Sequence, residues 1–332
     1  YILWRSISAK YKTRLLVMIA GVVIVIGAGA IWAKSIIDFG EELRYKDRVI
    51  LSEQTRYQRI VITQSKEAYW LFINGNQQLS SIDEIMYHEP LVHPVMGLLK
   101  NPKHILVMGG GDGGAVREIL KYPSVEKITL VDLDPRMTEL GQTQDWLVRM
   151  NQNALNDPKV EIVNADGFTW LEANETYYDA VIIDLPDPKT VELGRLYSYE
   201  FYQLCYNHLR PNGVITTQAG SPYYAARAFN CIDQTMSATG FTTAPLHNQV
   251  VTLGEWGWVL GVKGGEKQEV KSALQSLNFS GIQTEWLNKE AMILMTSFGK
   301  KVFPDDDKPV EVNRIHNPVL YKYYLKGKWD LY

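Results

Sequence analysis

Cysteine is almost missing from this chain: only Cys205 and Cys231 occur in 332 residues, and neither belongs to a CxxC pair. That excludes a cysteine-rich zinc site and a disulfide scaffold. An excess of positive charge is also missing. The net charge of -3 gives no support for general nucleic-acid binding, which favours a basic face, and leaves a cationic substrate admissible. Internal repeats and low-complexity tracts are absent. A first methionine is absent too; the chain opens on Tyr1, the expected mark of a partial or processed product. What is present is a core-forming composition: 46% hydrophobic residues with nine Trp and 19 Tyr, which argues against disorder. The length suits about two domains.

Leu15 to Ala33 reads LLVMIAGVVIVIGAGAIWA, uncharged and bracketed by Arg14 and Lys34. A bilayer core needs about 20 apolar residues in a helix, so this run is expected to span a membrane. A signal peptide has a shorter apolar stretch, and a soluble core helix normally keeps a polar face. Orientation is undetermined by charge: Arg5, Lys10, Lys12 and Arg14 on one side balance Lys34, Arg44, Lys46 and Arg48 on the other, and Lys and Arg carry the positive-inside signal. YILW at positions 1–4 reads as the end of a preceding span.

The remainder divides into four. Residues 35–50 read as a charged linker. Residues 51–82 read as a small antiparallel β subdomain, with strand-like RIVIT and AYWLFI ending at QSKE and at the Asn74-Gly75 turn. Residues 83–265 alternate apolar runs with helical stretches. HILVM (104–108), KITLVDLD (127–134), VEIVNAD (160–166), YDAVIID (178–184) and GVITTQ (213–218) read as strands of a parallel sheet covered on both faces, an α/β fold. Residues 266–332 form an extension: KQEVKSALQSL reads as a helix, FPDDDKP as a break, and the aromatic, basic tail NPVLYKYYLKGKWDLY is expected to pack on the domain rather than lie on a membrane surface.

In such folds ligands sit at the carboxyl ends of the strands. Here those ends carry glycines and acids. Met108 leads into GGGDGG, where Gly109, Gly111 and Gly114 satisfy GxGxxG. The glycines allow a tight turn and close backbone approach at the start of a helix, and Asp132 ends the next strand, where a carboxylate binds ribose hydroxyls. Dinucleotides and adenosyl sulfonium compounds share this pattern. Asp112 inside the turn repels a pyrophosphate and attracts a cation, which favours the sulfonium class.

These residues resemble the spermidine synthase (aminopropyltransferase) family from about Leu51 to Val262. TRYQ (55–58), Gln78 with DEIMYHE (83–89), VMGGGDGG, VDLD, NADG, DLPDP and LYSYEFY (196–202) follow in the family's order. The resemblance implies a Rossmann-like fold of the class I methyltransferase type, with a small N-terminal antiparallel β subdomain, here preceded by a transmembrane helix. It implies decarboxylated S-adenosylmethionine as co-substrate, with no tightly bound cofactor and no metal. Gln58, Gly109, Gly111 and Asp112 would hold the donor, Asp132 its ribose, and Asp166 and Gly167 its adenine. Asp184 would be the general base, and Gln78, Tyr87 and Asp187 would face a polyamine acceptor such as putrescine. An attacking amine, with a pKa of about 10.4, must lose a proton to a nearby carboxylate before it can attack. The resemblance also implies a homo-oligomer, and a catalytic domain on the cytoplasmic face of the cell membrane, since the donor is cytosolic.

Four positions depart from the family pattern: Leu185-Pro186 replaces small hydroxyl residues, His88 replaces a common Gln, Ala219-Gly220 follows Gln218 in place of an acid, and no Tyr stands near Val251. The acceptor half is therefore the altered half, and the acceptor can differ from putrescine. An S-adenosylmethionine-dependent methyltransferase and a non-catalytic polyamine or nucleoside sensor remain as alternatives.

Overall fold

The computed structural model describes residues 9–299 and 309–329. The expected preceding span at 1–4, most of the FPDDDKP break and the last three tail residues lie outside them.

The apolar run lies within one helix, α1 (Ala9–Arg44). Over Tyr11–Gly29 its mean hydropathy is 1.8, and none of that stretch is buried in the described chain, which removes the core-helix reading. The helix continues through Arg44 and strand β1 begins at Arg48, so the 35–50 segment is mostly helix where a linker was expected. No proline interrupts these residues, and a running helix satisfies its own backbone groups.

Four strands follow: β1 (Arg48–Gln54), β2 (Arg59–Ser65), β3 (Ala68–Ile73) and β4 (Asn76–Ser80). They form an antiparallel sheet in chain order, two strands more than the apolar runs disclosed. β1 and β4 carry too many polar residues to stand out from sequence. Ile60, Ile62, Leu71 and Leu79 of this sheet pack with Met137, Leu140, Trp146 and Leu147 of the next unit, which fastens the two together.

The larger unit runs α2 (Ile85–Gly97), β5 (His104–Gly109), α3 (Gly114–Leu120), β6 (Lys127–Asp132), α4 (Pro135–Thr143), α5 (Asp145–Met150), β7 (Val160–Asn164), α6 (Gly167–Ala173), β8 (Tyr178–Asp184), α7 (Val191–Gly194), α8 (Tyr199–His208), β9 (Leu209–Gly220), α9 (Ala226–Ala238), β10 (Phe241–Val250) and β11 (Gly254–Lys263). The sheet order is β10-β11-β9-β8-β5-β6-β7. β7, β6, β5, β8 and β9 are parallel, and β10 and β11 add an antiparallel hairpin that the sequence reading did not separate. Two apolar layers, one around Leu91, Val95 and Ile119 and the other around Phe201, Phe229 and Ile232, cover the two faces. The strands are accordingly near-continuous apolar runs.

The strand order reverses between β5 and β8, the position at which a ligand crevice opens in such sheets. The extension adds α10 (Lys267–Ser276), at the expected KQEVKSALQSL, then α11 (Lys289–Met295) and α12 (Leu320–Leu325). Leu320 and Tyr324 are buried in the second apolar layer, so this part of the tail packs on the domain.

Candidate active site

Gly109 ends β5 with φ +78°, a conformation that side chains disfavour, and a Cβ there would lie 2.1 Å from the carbonyl oxygen of Asp184. Close approach explains the other two motif glycines. A Cβ at Gly111 would meet Asp132 Oδ2 at 2.8 Å, and one at Gly114 would meet His88 Cε1 at 2.3 Å. The turn thus packs directly on the groups that surround it.

Those groups line one cleft at the β5/β8 crevice. Gln58, Gln78, Tyr87, Gly109, Gly111, Asp112, Asp132, Asp184 and Asp187 all face it. Asp166 and Gly167 do not. Asp166 caps α6 through Thr169 N at 2.9 Å and pairs with Arg195 at 2.5 Å, and it lines a neighbouring groove with Arg195 and Arg314.

Asp132 accepts from Gly111 N at 3.2 Å and Asp134 N at 2.9 Å. Burial outweighs these donors and raises its pKa to about 6. Asp112 accepts from Gly114 N at 2.8 Å, and Asn151 holds the Asp112 carbonyl at 2.8 Å. Thr55 Oγ1, beside Gln58, donates to Asp134 at 2.7 Å and ties the small sheet to the loop after β6.

The hydroxyl of Tyr87 donates to Asp184 Oδ1 at 2.7 Å. Burial first, and the Asp112 charge second, raise Asp184 to about 6 against the opposing effects of His88 and Tyr87. His88 stands between the two acids: its Nε2 lies 3.5 Å from Asp112 and 3.9 Å from Asp184, and its Nδ1 meets Glu84 at 2.6 Å. Burial lowers its pKa, but Glu84 and the charges of Asp112 and Asp184 prevail and lift it to about 9. His88 is therefore a buried imidazolium near neutral pH. Behind it, Arg117 grips Glu84 with two bonds, at 2.7 and 3.0 Å. Sequence reading noted His88 only as a departure; its position one residue after Tyr87, on the helix facing the glycine turn, was the available signal.

His88 with Asp112 and Asp184, and separately Glu89 with His93 and Glu118, bring ligand atoms within 4.8 Å of one another. Neither trio is well disposed to a metal. His88 already meets Glu84 through Nδ1 at 2.6 Å, and Glu118 already meets Arg117 and Lys121, each at 2.6 Å.

Asp187 has three side-chain neighbours of its own. Tyr324 of the tail donates to its Oδ2 at 2.5 Å, Gln218 Nε2 lies 3.5 Å from Oδ1, and Lys189 Nζ lies 3.7 Å from Oδ2. Burial nevertheless raises its pKa. Leu133, Met137, Leu196 and Trp256 supply apolar wall. Tyr324 is brought to this acid by α12 from 137 residues farther along the chain.

Comparison with known proteins identifies the family. Residues 84–273 match the spermine/spermidine synthase domain. A polyamine aminopropyltransferase of Leptospira interrogans is 42% identical over 296 residues, covering 88% of this chain and 56% of that protein. One from Ralstonia nicotianae is 41% identical over 287 residues, covering 86% and 54%. The chain thus spans about half the length of these curated relatives. Among solved structures, a spermidine synthase in complex with the transition state analogue AdoDATO superposes with a TM-score of 0.68 at 31% identity, covering 76% of this chain and 86% of that one. The spermidine synthase of Thermotoga maritima gives 0.67 at 31% identity, covering 76% and 85%. With a domain match over more than half its length and these structural relatives, the chain belongs to the spermine/spermidine synthase family.

Proposed function

We propose that this chain transfers the aminopropyl group of decarboxylated S-adenosylmethionine to an amine acceptor, releasing methylthioadenosine. The observation that carries the reading is the placement of Asp112, within the donor turn, in the same cleft as Asp184. The decarboxylated arm ends in an ammonium; an S-adenosylmethionine arm adds a carboxylate. Asp112 attracts the first and repels the second, so the discrimination uses repulsion as well as attraction.

The acceptor nitrogen attacks the carbon beside the sulfonium. A C–N bond forms, the C–S bond breaks, and the thioether leaves neutral, so no anion needs stabilising. The proton passes to Asp184. Its raised pKa brings the carboxylate closer to a proton acceptor matched to the operating pH, and Tyr87 fixes its orientation by donating to Oδ1. Asp132 is placed for the ribose hydroxyls and Asp187 for the acceptor's second ammonium. Asp166, which borders the neighbouring groove, and Gly167, which does not line this cleft, reach the adenine only if the base extends past the loop after β8. The α1 helix anchors the enzyme in a membrane, with the catalytic unit on the cytoplasmic side where the donor is made.

The test is calorimetric titration of the protein with decarboxylated S-adenosylmethionine and with S-adenosylmethionine, for wild type and Asp112→Ala. Preference for the decarboxylated donor, lost in the variant, is expected. Preference for S-adenosylmethionine would replace this reading by a methyltransferase, and binding of neither would leave a scaffold without catalysis.

A further inference from the structure

The C-terminal tail is tied to the catalytic loop at two points, and both lie beyond the matched family domain, which ends at residue 273. The first is Asn313, which is buried. Its Nδ2 donates to the carbonyls of Gly194 at 2.8 Å and Tyr197 at 3.1 Å, and its Oδ1 accepts from Val319 N and Leu320 N, each at 3.2 Å. The start of α12 is thereby fixed to the end of α7 and the residues after it. Tyr197 in turn donates its hydroxyl to the carbonyls of Leu185 at 3.2 Å and Pro186 at 3.1 Å, between the proposed base and Asp187.

The second point is Tyr324, whose hydroxyl donates to Asp187 Oδ2 at 2.5 Å. The tyrosine is 2% exposed, and Trp329 packs against its ring at 4.7 Å between centroids. The ring also rests on Gly220, where a Cβ would lie 3.3 Å from Tyr324 Cε2. Gly220 belongs to the pair that stands where the family pattern has an acid, so the tail brings its ring to a place that β9 leaves open. Neither Tyr324 nor Lys189 lines the cleft, and both approach Oδ2 of Asp187, Lys189 at 3.7 Å. Gln218 does line the cleft, and its Nε2 lies 3.5 Å from Oδ1. Oδ2 is therefore held from behind, and Oδ1 is the oxygen presented to a ligand. Burial raises the pKa of Asp187, and Lys189, Tyr324 and Gln218 oppose that rise, so Tyr324 also favours the charged carboxylate.

We propose that the C-terminal tail completes the acceptor site, with Tyr324 as a positioning residue that turns Asp187 so that Oδ1 meets the distal ammonium of the acceptor. The inference rests on the aminopropyltransferase reading. Tyr324 acts only through Asp187. A hydrogen bond that fixes one carboxylate oxygen sets the direction of the other, and the ammonium then binds without first ordering the side chain. A hydroxyl adds no charge, so the attraction between carboxylate and ammonium is kept. A tail that served only for packing would change stability, and its loosening would disturb donor and acceptor alike.

Steady-state kinetics of the full chain compare wild type, Tyr324→Phe and Tyr323→Phe. The acceptor is 1,4-diaminobutane, 1,5-diaminopentane or spermidine, whichever the wild type uses with the highest kcat/KM at saturating decarboxylated donor. The phenylalanine at 324 keeps the buried ring and removes only the hydroxyl. Tyr323 is the matched control: its hydroxyl donates to Glu311 Oε1 at 3.4 Å, and neither residue lines the cleft. Tyr324→Phe is expected to raise acceptor KM about tenfold, as loss of a hydrogen bond to a charged group would, with kcat and donor KM little changed. Tyr323→Phe is expected to match the wild type. A Tyr324→Phe enzyme with the wild-type acceptor KM overturns the inference. So does one in which donor KM rises together with acceptor KM, or an equal rise in Tyr323→Phe. A wild type that aminopropylates none of the three amines overturns the functional reading itself, an outcome distinct from the others.

Discussion

Gly109 and Asp184 are register partners across the parallel β5–β8 ladder, and the amide of Gly110 donates to the Asp184 carbonyl at 3.0 Å. The donor turn and the proposed base are therefore one rigid unit at the point where the sheet reverses its strand order. A side chain at 109 has no room: φ is +78° and its Cβ would lie 2.1 Å from that carbonyl. Gly109→Ala is expected to weaken donor binding at least tenfold and to lower kcat together with it, because the collision displaces the base as well as the turn. Calorimetry of donor binding with single-turnover rates checks this; a variant altered in only one of the two would separate what the ladder joins.

The base itself predicts a rate and a pH profile. Asp184→Asn is expected to lower kcat by about 10²–10⁴, the usual range for a positioned proton acceptor, with donor affinity little changed. Wild-type kcat/KM, which reports the free enzyme, should rise with pH through about 6, the value to which burial and Asp112 lift Asp184. Removing the Asp112 charge in Asp112→Asn should move that midpoint to lower pH. A midpoint that does not respond to residue 112 would argue that another group limits the rate.

The His88–Glu84 pair links stability to pH. His88 has its folded pKa raised from 6.5 to about 9, so its contribution is fully present below 6.5 and is lost as pH climbs to about 9. The maximum is about 3 kcal/mol, at 1.36 kcal/mol per unit. Glu84 is held below its ordinary value: burial opposes this, and the hydrogen bonds and charges of His88 and Arg117 outweigh burial. Glu84→Gln should destabilise the protein at neutral pH, by less than the about 3–5 kcal/mol of an uncompensated buried charge because Glu118 keeps Arg117 paired, and should flatten the loss between pH 6.5 and 9. Denaturant titrations across that range read both effects. An unchanged pH slope in the variant would show that His88 is not the group responsible.

Much of the donor half was legible in the chain. GGGDGG follows an apolar strand and precedes a helix, Asp132 ends the next strand, and DLPDP follows YDAVIID; each is local, so spacing alone places it at a strand's carboxyl end. Gln58, Gln78 and Tyr87 were legible only through resemblance, and the structure brings all three to the same cleft. The β10–β11 hairpin escaped because FTTAPLHNQV mixes polar residues with Pro245 and alternates weakly, and its strand character comes from antiparallel pairing with β9 through β11.

Local order, strand identity and the residues offered to a ligand were set by the linear pattern, because periodicity and glycine chemistry act over a few neighbouring positions. Tertiary structure alone decided the charge of His88, which depends on Glu84, Asp112 and Asp184 converging on one buried ring. It alone turned Asp166 towards Arg195, and it alone carried Tyr324 across 137 residues to Asp187. Such contacts follow from how layers pack and from burial in a low dielectric, and no short stretch of sequence contains either.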